Sequence, residues 1–387
     1  PMSCETTSTT SAETVLKKPH LWGQRLGDLE AILIEAGVAD KKARYHSKQI
    51  FKWIYDRNVY DVALMTDLSK EVRAALADKF DIAPPVAQVF TQQSVDGTQK
   101  FLFKLFDGHT IESVLIPSYR GEIDYETDTG EIAELKRMTI CISSQVGCAM
   151  GCKFCFTATM GLIRNLRVEE IVGQVLELSK TSQITNIVFM GMGEPLHNLE
   201  NVARSLEILL AQEGLNFSKR KITVSTSGLV PQLRKMNERL VGPHRVNLAI
   251  SLNGSSNENR EAVMPVNKAF PIEELLDACR DFHLEPHRRI TFEYVMLGEH
   301  NDSLDDAARV LKLLKGIPSK INLIPFNANP QSVYKRPSDA NVNAFQKYLL
   351  DRGAAAMIRH SRGRDILAAC GQLKSDQDNK KPNLLFN

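Results

Sequence analysis

Cys148, Cys152 and Cys155 stand together in the run Gly147-Cys148-Ala149-Met150-Gly151-Cys152-Lys153-Phe154-Cys155-Phe156. Cysteine thiolates are the usual protein ligands of iron–sulfur clusters, and closely spaced cysteines on one loop can hold several irons of a single cube. Three thiolates occupy three corners of a [4Fe-4S] cluster and leave the fourth iron open. A small molecule carrying an amine and a carboxylate can chelate that corner, so the triplet points to a reactive cluster rather than an electron store. Zinc is the competing reading, with Cys141 as a fourth ligand. Zinc sites favour paired Cys-x2-Cys or Cys/His spacings, which the triplet fits less well. Inert, buried cysteines are the blandest alternative.

The chain must place this loop on a scaffold. From Met138 onward, apolar β runs alternate with amphipathic helical segments: 138–143, 184–190, 221–227, 246–252, 289–296 and 320–326. Six β/α repeats imply a parallel sheet and are too few to close the common eight-stranded barrel, so the pattern predicts an α/β partial (βα)6 barrel over 137–360. Ligands in such folds gather at the C-terminal ends of the strands. The cysteine loop follows the first of these strands, Gly191-Met192-Gly193-Glu194-Pro195 the second, Ser225-Thr226-Ser227-Gly228 ends the third, Ser251-Leu252-Asn253 the fourth, and Asn327 follows the sixth.

Upstream, Leu26, Leu29, Ile32 and Leu33 recur at helical spacing, and Ile50, Phe51 and Ile54 share one face of a second helix from about Asp40 to Arg57. With a third helix after Asp67, they predict a helical accessory domain over 20–85. After Pro84-Pro85 the pattern changes to short β runs separated by the hairpin dipeptides Asp96-Gly97 and Asp107-Gly108, a meander over 86–118. Residues 119–136 hold six acidic side chains with little periodicity and read as a loop insertion; 1–19 read as a disordered tail and 361–387 as a C-terminal segment.

Several side chains on this scaffold can carry chemistry. Gly193 lets backbone approach a ligand, and Glu194 beside it can accept hydrogen bonds from an ammonium group. Ser225, Ser251, Asn253 and Asn327 are short hydrogen-bonding groups at equivalent strand ends, as a ribose and an amino acid require, although each is also an ordinary cap or turn residue. Glu112 shares a strand face with Thr110, Val114 and Ile116. Desolvation there would raise its pKa and suit it to a general base, against the plainer reading of a solvent-facing edge residue. Cys370, in a Cys-Gly loop after the last regular element, suits a flexible nucleophile or acceptor thiol. Cys279, on an amphipathic helix, reads as core.

Composition narrows the setting. The 387 residues are 43% hydrophobic, enough for a large core, and the net charge is only +2, so any nucleic-acid site must come from local clustering. Lys41, Arg44, Lys48 and Lys52 form a basic helical stripe beside Tyr45 and Trp53, with further clusters at 219–221, 287–289 and Arg359-His360-Ser361-Arg362-Gly363-Arg364. Each alone is a solvated face; together they favour phosphate contact. Seven cysteines, four of them between 141 and 155, fit a reducing compartment rather than a disulfide framework. The first fourteen residues carry two Glu and no Arg, unlike a transit peptide, and no apolar run is long enough to span a bilayer. The expected location is the cytoplasm.

Taken together, Cys141 through Cys148, Gly161 to Leu166, the GMGEPL run at 191–196, STSG at 225–228, IPFN at 324–327 and CGQL at 370–373 resemble the RlmN family of radical S-adenosylmethionine (SAM) RNA methyltransferases. The resemblance runs from the accessory helices to Leu373. It implies a [4Fe-4S] cluster on Cys148, Cys152 and Cys155, and SAM held by Gly193, Glu194, Ser225, Ser251, Leu252, Asn253 and Asn327. It implies that Cys370 is methylated by one SAM and carries the methyl, that a second SAM is cleaved to a radical that activates it, that Glu112 removes the adenine C2 proton, and that Cys141 releases product by a disulfide with Cys370. The implied substrates are 23S rRNA and tRNA next to the anticodon, the implied electron donor a flavodoxin or ferredoxin, and the implied state a monomer. Asn253 stands where the family commonly has His, and the acidic insertion is longer than expected.

Two rivals remain at this stage. Relatives that methylate adenine C8 share the cysteines; the N-terminal helical region and Val146 favour C2. A non-catalytic RNA-binding protein with a metal-stapled loop is the rival from another class. If RNA binding rests on the basic clusters, log affinity should fall linearly with log salt, with a slope of about −0.7 per phosphate contacted on single strands. A filter-binding series between low and physiological salt measures it, and a flat response would contradict the expectation.

Overall fold

A computed structural model of the chain describes residues 18–59, 61–119 and 135–375. Most of the acidic insertion and of the N-terminal tail lies outside the described residues.

The first helices form where the apolar spacing places them. Helix α1 (Leu26–Glu35) opens with the Asp28 carboxylate accepting from both the Arg25 backbone N–H and the Arg25 guanidinium. Its buried Leu29 and Leu33 face Ile50, Phe51 and Ile54 of α2 (Asp40–Tyr55), and α3 (Lys70–Lys79) begins at an Ser69 N-cap. Such caps satisfy N–H groups that have no partner within the helix. The Tyr55 hydroxyl donates to the carbonyls of Trp22 and Gln24, which lets this large aromatic pack at the centre without stranding its polar end. Arg25 reaches Glu207 and Arg204 reaches Asp28, so ion pairs join this helical layer to the rest of the molecule.

Strands β1 (Val86–Gln93), β2 (Gln99–Leu105) and β3 (Thr110–Tyr119) form the antiparallel meander. The expectation treated it as a unit of its own ending at Pro117. The structure instead continues β3 to Tyr119 and pairs it antiparallel with β4 (Leu135–Cys141), so meander and barrel share one sheet. A hairpin of β5 (Gln145–Gly147) and β6 (Leu162–Asn165) stands apart from that sheet.

From β4 the sheet runs parallel through β7 (Asn186–Phe189), β8 (Ile222–Thr226), β9 (Asn247–Ser251), β10 (Ile290–Met296), β11 (Ser319–Pro325) and β12 (Ala356–Ile358). Spatial order equals chain order, and helices supply the crossovers: α4 (Val168–Ser179), α5 (Leu199–Leu210), α6 (Val230–Arg239), α7 (Asn257–Val263) with α8 (Ile272–Arg280), α9 (Leu304–Leu313) and α10 (Asp339–Leu350). Among the described residues β12 pairs only with β11, leaving the barrel open. The six expected strands are all present, and β12 is a seventh. Three residues long and preceded by Gly353-Ala354-Ala355, it has too little apolar run to be recognised in sequence.

Burial follows position in the sheet. All of β10 is buried, as a central parallel strand requires, whereas β1 at the edge exposes most of its residues and is broken by a bulge near Gln88. Phe345 on α10 is fully buried against Tyr294 of β10, with ring centroids 5.4 Å apart. Phe345→Ala should therefore cost about 3–5 kcal/mol, whereas Val89→Ala on the exposed edge should cost less than about 0.5 kcal/mol. Urea unfolding midpoints of the two variants measure the difference.

Candidate active site

The C-terminal ends of the parallel strands surround an open cleft, where ligands of such folds bind. Cys148, Cys152 and Cys155 all line it. Their loop leaves β5 and returns through β6, and its neck is closed by two glycines with positive φ. Gly147 (φ 74°) approaches Gly161 so closely that a Cβ would stand 1.8 Å from the Gly161 carbonyl oxygen, and Cys148 N donates to that oxygen at 2.8 Å. A side chain cannot occupy that space. Within the loop, Cys155 N donates to Cys152 O, and Lys153 N donates to Val263 O at the end of α7.

Burial raises the pKa of all three thiols. Among the described residues no three His, Cys, Asp or Glu side chains converge as the ligands of a single ion do. The three sulfurs face one cleft without meeting at a point, which suits a cube whose thiolates each bond a different iron. Cys141 ends β4 next to Cys370, the thiol that acts on it most, and does not line the cleft. It is not placed to be a fourth zinc ligand.

Opposite the loop, Gln145 organises the GMGEP turn. Its Oε1 accepts from Glu194 N at 2.7 Å, and its Nε2 lies 2.7 Å from Asn165 Oδ1. Gly193 has φ 99°, and a Cβ there would stand 2.5 Å from the Gln145 Cβ. The buried Glu194 carboxylate accepts from Leu196 N and, at 2.7 Å, from Ser227 N; burial raises its pKa and these N–H groups oppose the rise. Ser225, Ser251 and Asn327 line the cleft as well. The buried Asn327 Oδ1 has no hydrogen-bond partner among the described residues. An unsatisfied buried polar atom of this kind marks where a polar ligand belongs.

Two residues of the expected set stand behind the cleft wall. Leu252 is fully buried and bonded through its backbone to Glu293 O and Arg260 Nε. Asn253 (φ 51°) spends its side chain internally: its Oδ1 accepts from Val295 N, and its Nδ2 lies 3.2 Å from Met264 Sδ.

The last wall is the C-terminal loop. Cys370, Gly371 and Leu373 line the cleft, and the loop lies against the cysteine loop through Phe156 N to Gly371 O at 2.7 Å and Thr157 Oγ1 to Leu373 O at 2.6 Å. Asn327 Nδ2 donates to Cys370 O, and Lys374 N donates to Glu112 Oε2 at 2.9 Å. Glu112 is buried rather than facing solvent as the plainer reading had it, and Lys100 Nζ stands 3.2 Å from its Oε1. Burial pushes Cys370 up to about 11 and Cys141 up to about 12, while Arg359 pulls both down. Arg359 itself is 3.4 Å from Glu293, a buried carboxylate lining the cleft.

Sequence reasoning missed this Arg359–Glu293 pair. Arg359 was counted in a basic surface run. Glu293 had a legible signal: it is the one ionisable carboxylate inside the apolar run Ile290–Met296, and such a strand buries both faces. The basic stripe on α2 is exposed at Lys41, Arg44, Lys48 and Lys52, as read, and Arg57 stacks on Trp53 at 4.1 Å.

Comparison with known proteins places this arrangement in a family. Residues 142–311 match the model of the radical SAM superfamily, and residues 24–82 match that of the ribosomal RNA large subunit methyltransferase N-terminal domain. A dual-specificity RNA methyltransferase RlmN of Geobacter sulfurreducens is 48% identical over 361 residues, covering 93% of each chain. The RlmN of Campylobacter curvus is 47% identical over 369 residues, covering 94% of this chain and 95% of that one. The crystal structure of a radical SAM methyltransferase from Sphaerobacter thermophilus superposes with a TM-score of 0.81 at 42% identity, covering 92% of this chain and 99% of that one. Radical SAM methyltransferases use a [4Fe-4S] cluster and SAM, and the three thiols and the orphaned Asn327 Oδ1 of the cleft fit both groups. With both its N-terminal helices and its barrel matched, the chain belongs to the RlmN family of dual-specificity RNA methyltransferases.

Proposed function

We propose that this protein methylates adenine C2 in 23S rRNA and in tRNA next to the anticodon, with Cys370 as the methyl carrier. The observation that carries the reading is the seating of the Cys370 loop on the cysteine loop, through Phe156 and Thr157, so that the acceptor sulfur and the three candidate cluster ligands face one cleft.

Cys148, Cys152 and Cys155 would hold the cluster. Gly193, Glu194, Ser225, Ser251 and Asn327 would hold SAM along the strand ends, with Leu252 and Asn253 shaping the wall behind them. When bound, the cluster and SAM supply a radical able to take hydrogen from a methyl group, which is chemistry the side chains lack. An aromatic C–H carbon is too weak a nucleophile for direct polar methyl transfer, so a carrier is needed. Cys370, as a thiolate, would take a methyl from SAM, with the S–CH3 bond forming as the sulfonium C–S bond breaks and the neutral thioether leaves. Glu112, fixed by Lys100 and by Lys374 N beneath the same loop, takes the C2 proton. Cys141 would attack the Cys370 sulfur, forming the S–S bond as the Cys370 S–CH2 bond breaks, and the released carbon would take a proton to become the product's methyl group.

The partners follow from this reading: rRNA and tRNA on the basic surfaces, a flavodoxin- or ferredoxin-type electron donor, and action as a monomer in the cytoplasm. Among the described residues no helix is long and apolar enough to cross a membrane.

Anaerobic reaction with both RNAs, followed by mass spectrometry of nucleoside digests, should give 2-methyladenosine; a match to 8-methyladenosine would overturn the C2 assignment. Cys370→Ala should abolish product with iron and sulfide retained, and Glu112→Gln should lower kcat by about 10²–10⁴. Thiol titration gives an independent check. With Cys370 near 11, its thiolate fraction at pH 7 is small, so the alkylation rate in cluster-free protein should rise about tenfold per pH unit and level off only near pH 11. Arg359→Met removes the cation that favours the thiolate and should move the profile to higher pH. Peptide mass spectrometry reads both, and a plateau by pH 9 would refute the burial-raised pKa of Cys370.

A further inference from the structure

Arg260, at the centre of α7, is fully buried. Its guanidinium donates to four oxygens, all neutral: Leu252 O through Nε at 3.0 Å, Asn267 Oδ1 through Nη1 at 3.0 Å, and Ser227 O and Ser251 O through Nη2 at 2.6 and 3.3 Å. The fold makes room for it. Gly254 lies so close that a Cβ would stand 2.6 Å from the Arg260 Cα, and one on Gly228 would stand 3.1 Å from Nη2. Among the described residues no carboxylate pairs with this side chain, which is costly for a charge removed from water. Burial lowers its pKa to about 10, still leaving it charged at neutral pH, and the ionisable groups that act on it are the thiols of Cys152 and then Cys279.

The position explains what the missing anion is. Ser227, Ser251 and Leu252 end β8 and β9 at the cleft, and the Ser227 residue that gives its carbonyl to Arg260 gives its N–H to Glu194. The end of α7 holds the cysteine loop through Val263 O and Lys153 N. A cluster with three thiolates is anionic when oxidised and gains another negative charge on reduction, so a fixed cation favours the reduced form.

We propose that Arg260 is the built-in counter-charge of the cluster site, a positioning residue that fixes the ends of β8 and β9 and whose charge, behind the cleft wall formed by Ser227 and Ser251, raises the reduction potential of the bound cluster. The inference rests on the assignment of Cys148, Cys152 and Cys155 as cluster ligands. No step of methyl transfer passes through Arg260.

The test uses the full chain, reconstituted anaerobically with iron and sulfide, and an EPR-monitored potentiometric titration without RNA. Iron and sulfide are measured first; a wild-type protein holding neither overturns the ligand assignment itself. With clusters loaded equally, Arg260→Met should lower the reduction equilibrium constant about tenfold, a one-electron shift of about 59 mV to more negative potential. Arg260→Lys, which keeps the charge and loses the fork of hydrogen bonds, should retain the wild-type potential even though it melts at lower temperature. Should Arg260→Met fail to fold, Cys279→Asp places a carboxylate beside Arg260 and should produce the same tenfold loss. A wild-type potential in Arg260→Met or Cys279→Asp, or a tenfold loss in Arg260→Lys, overturns the proposal and leaves the ligand assignment intact.

Discussion

The approach of Gly147 to Gly161 is the constraint on which the site depends. Two strands of a small hairpin meet where no side chain fits, and the Cys148 N–H closes the neck onto the Gly161 carbonyl. Everything between is forced to project as one loop from the end of β5. A looser neck would let the three sulfurs drift apart, because the loop contains only a short 3-10 turn, Thr157–Met160, to stiffen it.

Around that loop the molecule concentrates buried charge. Glu194, Glu112, Glu293 and Arg260 are buried and Arg359 is half-buried, and each is held by named backbone or side-chain partners. Burying so many ionisable groups works against stability. They come from different elements, Glu194 from the turn after β7, Glu293 from β10, Arg359 from the end of β12, Glu112 from β3 and Arg260 from α7, and the sheet brings them to one side of the molecule. The crossover helices on the outside carry apolar burial that offsets the cost. The meander extends the same sheet, so Glu112 on β3 reaches the C-terminal loop beneath Cys370 without any separate interface having to form.

Legibility varied with how local each signal was. The cysteine spacing, the strand ends and the N-terminal helices depend on residues close together in the chain, and their positions were readable. The role of Glu293 was half-readable, as a carboxylate in a strand that had to be buried. Arg359 was misread because a basic run looks the same whether its members face water or a cleft. Arg260 gave no signal at all: an Arg on a short polar helix is ordinary until Gly254 and Gly228 are seen to open a chamber for it.

By itself the sequence determined the chemistry on offer: three loop thiols, a fourth and a fifth cysteine at defined places, an alternating β/α scaffold and its family. These follow from residue type and short-range periodicity, which the chain carries wherever it is read. Only the tertiary structure decided that Cys141 stands by Cys370 and not with the triplet, that Leu252 and Asn253 form the back of the wall, and that β12 brings Arg359 to Glu293. Such pairings join residues tens to hundreds of positions apart. Which of them meet depends on strand order, pleat and burial across the whole sheet, and no local pattern encodes that sum.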